Sequence, residues 1–239
     1  MRECRVLLIA SLASLALLVG CGKKETETPV TSTTGTTTTP TEPAPTEPMT
    51  PSGYEGWKTV TGKGGTYTIM VPTTYTSSTE SPDEIAKIVT ALEKTQPALA
   101  KTFTETSKNQ SLDLYAMDLT EDSAKDGFAD NVNIIVEEWA PSGDLATNLE
   151  AVGKNTVKTM PSSAPMTTEM VDMAGTKAFK YTGSMVFPGE GGTKLESDLT
   201  GYLVPNNGKI YIVSMSTKQG ESAKATETFD KIIRSLTFK

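Results

Sequence analysis

An α/β domain built on a largely antiparallel sheet is predicted for residues 54–239, and three features of the sequence predict it. Four stretches rich in apolar residues, 167–173, 177–187, 195–204 and 210–216, follow one another with short links. The links Ala174-Gly175-Thr176, 189–193 and Asn206-Asn207-Gly208 carry turn chemistry, so neighbouring stretches reverse as a meander. The closing segment 220–236 sets Ala225, Phe229, Ile232, Ile233 and Leu236 at helical spacing, with Lys224, Glu227, Asp230, Lys231 and Arg234 outside. That is the pattern of a helix laid on a sheet. A third feature is Ser81-Pro82-Asp83-Glu84, a helix start with Ser81 as N-cap, Pro82 at the first helical position and Glu84 as capping-box partner.

In chain order, the domain opens with strands at 57–61 and 66–71 joined by Gly62-Lys63-Gly64-Gly65, and Pro72 ends the second. The helix from Ser81 turns Ile85, Ile88, Val89 and Leu92 inward, and Pro97 splits or kinks it before Leu99 and Phe103 continue the stripe. A strand at 111–117 follows. The segment 133–139 alternates Ile135 and Trp139 against Ile134 and Val136, so both faces are apolar and the strand is central. A helix with the stripe Leu145, Leu149, Val152 and Thr156 then runs to Met160-Pro161 and leads into the meander.

Ahead of the domain the composition changes twice. Arg2 and Arg5 precede an apolar run from Val6 to Val19, the layout of a secretory signal. Fourteen residues make a helix of roughly 21 Å, short of the ~30 Å hydrocarbon core of a bilayer. The run ends in Leu18-Val19-Gly20-Cys21, which resembles the lipobox of bacterial lipoproteins. That resemblance implies cleavage between Gly20 and Cys21, removal of residues 1–20 as a signal peptide, and acyl groups such as palmitate on Cys21 as a membrane anchor. Residues 22–53 then hold twelve threonines and six prolines without an aromatic residue, too little apolar surface to offset ordering entropy. A disordered, semi-stiff linker spanning 21–53 is expected, with a reach on the order of 100 Å. Recognition or glycosylation of this tract is a second reading.

Composition removes several chemistries. The chain has no histidine, which excludes Ser-His-Asp and Cys-His nucleophilic sites and haem ligation through histidine. Of the two cysteines, Cys4 belongs to the signal and Cys21 to the anchor, leaving no thiol for zinc or redox work. Without the signal, 20 basic side chains face 28 acidic ones, a net charge of −8 that opposes nucleic acid. No catalytic residue, no metal site and no cofactor is assigned.

Four local features resemble sites at first sight. Gly62-Lys63-Gly64-Gly65 fits neither nucleotide-binding fingerprint and no helix follows it. The loop 118–131 collects Asp118, Glu121, Asp122, Asp126 and Asp130, but its spacing fails the calcium-loop template, so it reads as a solvated acidic turn. Glu137 and Glu138 are neighbours on a strand, point to opposite faces and cannot act as a pair. Phe179, Tyr181, Met185 and Tyr211 could line a ligand chamber, although such stripes ordinarily pack a core.

The order of elements, with Tyr67-Thr68-Ile69-Met70-Val71-Pro72, Asn131-Val132-Asn133-Ile134-Ile135-Val136, Tyr211-Ile212-Val213-Ser214 and Phe229-Asp230-Lys231-Ile232-Ile233, resembles the PsbP-like family over 57–239. That family holds the extrinsic PsbP subunit of photosystem II and many bacterial envelope lipoproteins. The resemblance implies an α/β/α sandwich around a single, largely antiparallel sheet. It carries over no functional residue, because the histidines some plant members use toward metals are absent.

Three functions compete. A tethered, non-catalytic accessory domain would bind another protein of the cell envelope, outside the cytoplasm. A ligand-binding lipoprotein would hold a small or apolar molecule between sheet and helices. A carboxylate hydrolase such as a glycosidase would need two Asp or Glu roughly 5 to 10 Å apart in a cleft.

Overall fold

In the computed structural model, which describes residues 52–120, 128–188 and 194–239, the opening hairpin joins β1 (Trp57–Thr61) to β2 (Tyr67–Pro72). The strands are antiparallel, with Trp57 opposite Pro72 and Thr61 opposite Thr68. β2 takes its other neighbour from the far end of the chain, β10 (Thr237–Phe238), so these three strands form a small sheet of their own.

A three-residue strand, β3 (Tyr75–Ser77), follows Pro72 and carries no periodicity that a sequence reading could detect. Helix α1 (Pro82–Thr95) starts as the sequence dictates: the Ser81 hydroxyl accepts from the Glu84 N–H while the Glu84 carboxylate accepts from the Ser81 N–H. Pro97 ends it. The residue before a proline is pushed out of the helical region, and Gln96 sits at φ −146° and ψ 66°, so α2 (Pro97–Ser107) begins as a separate helix.

β4 (Leu114–Asp118) and β5 (Asn131–Glu138) follow, then α3 (Leu145–Thr159), whose N-cap Asp144 accepts from the Thr147 N–H at 2.7 Å. β6 (Thr167–Met173), β7 (Thr176–Pro188), β8 (Lys194–Asn206) and β9 (Lys209–Lys218) form the expected meander, and α4 (Ser222–Arg234) closes the pattern before β10. The large sheet has seven strands in the order β3-β4-β5-β9-β8-β7-β6, every neighbouring pair antiparallel. β5 is interior, as its apolar faces require.

Helices cover both faces. On one, Phe229, Ile232 and Ile233 of α4 and Tyr67, Ile69 and Val71 of the small sheet pack on Tyr202, Val204, Tyr211 and Val213. On the other, Leu99 and Phe103 of α2 and Leu149 of α3 pack on Tyr115, Ile135, Phe179, Tyr181 and Leu203. The result is an α/β/α sandwich with its principal sheet antiparallel throughout. Close approach sets the second layer. Tyr181 lays its ring over Gly201 of β8 and its hydroxyl meets Ser214 at 3.1 Å, while Phe179 lies against Gly153 of α3, where any Cβ would overlap the ring.

Two hairpins at one end of the sheet turn in two residues each. Ala174-Gly175 and Asn207-Gly208 all have positive φ, the type I′ geometry that matches strand twist. Among the described residues no helix is long and apolar enough to cross a membrane. Gly20, Cys21 and the linker up to residue 51 lie outside the described residues.

Candidate functional site

β9 runs from one open recess to another. Its start at Lys209 borders a hollow of about 390 Å³ lined by Trp139, Leu145, Ala174, Pro205 and the type I′ turn at Asn207-Gly208. The backbone N–H of Trp139 donates to the Gly208 carbonyl at 2.7 Å, which holds the Trp139 main chain beside the turn. Leu145, 42 % exposed, stands at the rim.

The other end of β9 opens into a more polar groove of about 600 Å³. Four separate elements build it. Tyr75 comes from β3, paired opposite Asp118 of β4. Asp130 precedes β5 and is tied to β4 by its carbonyl, which accepts from the Asp118 N–H at 2.8 Å. Thr217, near the end of β9, donates its hydroxyl to the Asp130 carboxylate at 2.6 Å. Glu221, Lys224, Ala225 and Thr228 come from the start of α4, and Pro72, Thr74 and Thr120 complete the lining.

Electrostatics distinguish the groups. Burial pushes the Asp130 carboxyl above the ordinary carboxylate range; the Thr217 hydrogen bond opposes that, the charges of Asp118 and Glu221 reinforce it, and Lys224 offsets it. Burial and then the charges of Asp130 and Asp118 push the Tyr75 hydroxyl far up, so it keeps its proton. Tyr75 is only 2 % exposed. Its side chain packs in the core and lines the groove together with the two carboxylates.

The features singled out in the sequence are distributed differently. Asp118 and Asp130, read as ends of a solvated turn, meet at the groove; Glu121, Asp122 and Asp126 lie outside the described residues. Glu137 sits at the other end of β5, where burial raises its pKa, while Glu138 is exposed and pairs with Lys209 at 3.5 Å. The glycine loop after β1 spends its donors internally: the Gly64 N–H binds the Asp113 carboxylate at 2.9 Å and the Lys63 N–H the Asp113 carbonyl at 3.1 Å. Phe179, Tyr181 and Met185 pack on the α2–α3 face, but Tyr211 points to the α4 face, so the four do not line one chamber. All are buried.

Tyr75, Thr217, Glu221 and Lys224 escaped sequence reasoning. They come from three elements up to about 150 residues apart, and only the strand order brings them to the acidic loop. Among the described residues no three acidic side chains converge closely enough to hold a metal ion.

No family model matches the chain, and no curated protein does. The chain is similar to the solution structure of cyanobacterial PsbP (CyanoP) from Synechocystis, with 13% identity, covering 80% of this chain and 98% of that one at a TM-score of 0.48. It is also similar to LpqN, involved in cell envelope biogenesis of Mycobacterium tuberculosis, with 12% identity over 77% of this chain and 90% of that one at 0.44. A third similarity is to the Saccharomyces cerevisiae Ran-binding protein Mog1p, with 14% identity over 76% and 95% at 0.42.

Proposed function

We propose that this chain is a lipoprotein of the cell envelope whose folded domain serves as a non-catalytic accessory module for another envelope protein. The carrying observation is Leu18-Val19-Gly20-Cys21 at the end of a charged and then apolar leader, the order that directs acylation of the cysteine. The Thr/Pro-rich stretch that follows acts as a spacer, and the domain takes over where it stops: the Tyr54 hydroxyl already donates to the Lys231 carbonyl of α4 at 3.0 Å. The hollow beside Trp139 and Leu145 is the surface offered to the partner, since half-buried Trp beside exposed Leu is the composition of an interface core.

The test has two arms in intact cells. Labelling with an alkyne fatty acid should mark the wild-type chain and leave Cys21→Ser unmarked and released from the membrane fraction; equal membrane retention of both would remove the anchor. Cross-linking should yield a reproducible envelope neighbour that Leu145→Asp loses; failure to find one would remove the accessory role.

A second reading has one observation in its favour. Asp118 and Asp130 enter the same groove, and the raised pKa of Asp130 is the property of a general acid. In that reading the chain is a carboxylate hydrolase. Release of a chromophore from nitrophenyl glycosides, abolished by both Asp118→Asn and Asp130→Asn, would establish it over the accessory role.

A further inference from the structure

We propose that β6, the strand at one edge of the seven-stranded sheet, pairs with β6 of a second copy of this chain to form a two-fold symmetric dimer. Among the described residues β7 is the one strand beside β6. A bare strand edge is a template for pairing, and proteins blunt such edges by shortness, lysine, proline or a bulge. The other edges carry such devices: β3 has three residues, β10 has two, and β1 carries Lys58. β6 has seven residues, no lysine or proline, and a ladder unbroken from Thr167 opposite Thr182 to Met173 opposite Thr176. Its two carboxylates do not defend it, because Lys180 meets Glu169 at 3.0 Å and Lys177 meets Asp172 at 2.7 Å.

The turn sets the phase of the edge. Ala174-Gly175 is a two-residue turn with positive φ, so Met173 and Thr176 exchange hydrogen bonds, and alternate residues of β6 back from there do the same toward β7. Thr168, Met170 and Asp172 therefore aim their N–H and C=O groups away from β7. A second copy fits where its own outward groups meet these, which restricts the residue on the two-fold axis. An axis at Glu169 or Asp172 sets a carboxylate against its own copy, and like charges directly opposite are destabilising. An axis at Thr168 or Val171 leaves part of each strand unpaired. At Met170 all of Thr167–Met173 is engaged: Thr168 faces Asp172 of the second copy, Glu169 faces its Val171, and no like charges stand opposite. That match under the strand's own reversal singles out a second copy over an unrelated peptide. Met170 packs partly buried on the α2–α3 side of the sheet and Val171 on the α4 side, so a neighbouring strand covers apolar surface on both faces.

The pairing requires neither the acyl anchor nor an envelope partner. Met170→Cys in the full chain, oxidised in intact cells with copper phenanthroline, should give a self-linked dimer band, because residues opposite in a hydrogen-bonded pair lie about 5.5 Å apart at Cα, within disulfide reach. The wild-type chain sets the background from Cys4 and Cys21. Thr168→Cys and Asp172→Cys should each stay unlinked alone, being about 13 Å along the strand from their own copies, and should link when co-expressed. Sedimentation of the full chain in density-matched detergent should show a dimer. Met170→Pro, which removes an outward N–H that β7 does not use, should weaken it about tenfold or more. Thr168→Pro repeats this with the Met170 side chain in place, and thermal melting of both variants checks that the fold survives. A monomeric wild type, or a dimer that both proline variants leave unchanged, would overturn the proposal. So would equal linking by Thr168→Cys alone, or a Met170→Cys adduct with a different protein in place of the self-linked band.

Discussion

A methyl group added at position 201 has nowhere to go, because the Tyr181 ring lies directly over that backbone and its hydroxyl is fixed on Ser214. Gly201→Ala must displace a fully buried aromatic from a packed layer, and overpacking of this kind costs about 1–3 kcal/mol. Chemical denaturation should show a lower midpoint at unchanged slope. Tyr181→Phe, which keeps the ring and removes the hydroxyl bond, should lose only about 1 kcal/mol. Asp130 makes the opposite contribution at neutral pH, since its folded pKa is raised above the unfolded value of 3.8. A raised carboxyl binds its proton more tightly when folded, so this site adds stability as pH falls from above the folded pKa toward 3.8 and withdraws it as pH rises. Asp130→Asn keeps an acceptor for Thr217 and removes the charge. Its melting temperature should exceed the wild type at pH 7 and the advantage should vanish near pH 3.5; an advantage independent of pH would contradict the burial of that charge.

Single elements are held by local chemistry that can be removed one group at a time. Ser81→Ala deletes the acceptor for the Glu84 N–H and undoes both halves of the capping box, at about 1 kcal/mol. For a domain of this size that is about 2–4 °C of melting temperature, measurable by circular dichroism. This local chemistry is why so much of the architecture was legible beforehand. Ser81, Pro97, Asp144 and the paired turn residues at 174–175 and 207–208 act within four residues of themselves, and they delimited α1, α2, α3 and the meander. What stayed hidden had no local cause. β3 is three residues long, β10 two, and each exists only because a distant partner, β4 or β2, offers a ladder. The candidate groove was half visible for the same reason: Asp118 and Asp130 flank one loop, whereas Tyr75, Thr217 and Glu221 reach it through sheet order.

At the scale of the whole molecule, the small sheet is fastened by residues 235–239. Ser235 accepts from the Met70 N–H at 2.7 Å, Lys239 donates its N–H to the Thr66 carbonyl at 2.9 Å, and Phe238 packs on Tyr211 with ring centroids 4.7 Å apart. Deleting residues 237–239 removes the ladder on that side of β2 and the partly buried Phe238 ring, a loss of about 1.5–3 kcal/mol. Hydrogen exchange should then quicken at residues 67–69 while the β7–β8 amides keep their protection. Equal loss across both sheets would show that the small sheet is not a separate cooperative unit.

That closure imposes a schedule on biogenesis. A ribosome delivers β2 some 170 residues before the strand that must lie beside it, and α4, which roofs one whole layer, emerges almost as late. Until β10 and α4 have emerged, the early hairpin has an unsatisfied edge and an uncovered apolar face, so this layer cannot consolidate ahead of them. Consolidation of that layer is thereby deferred until residues 222–238 arrive.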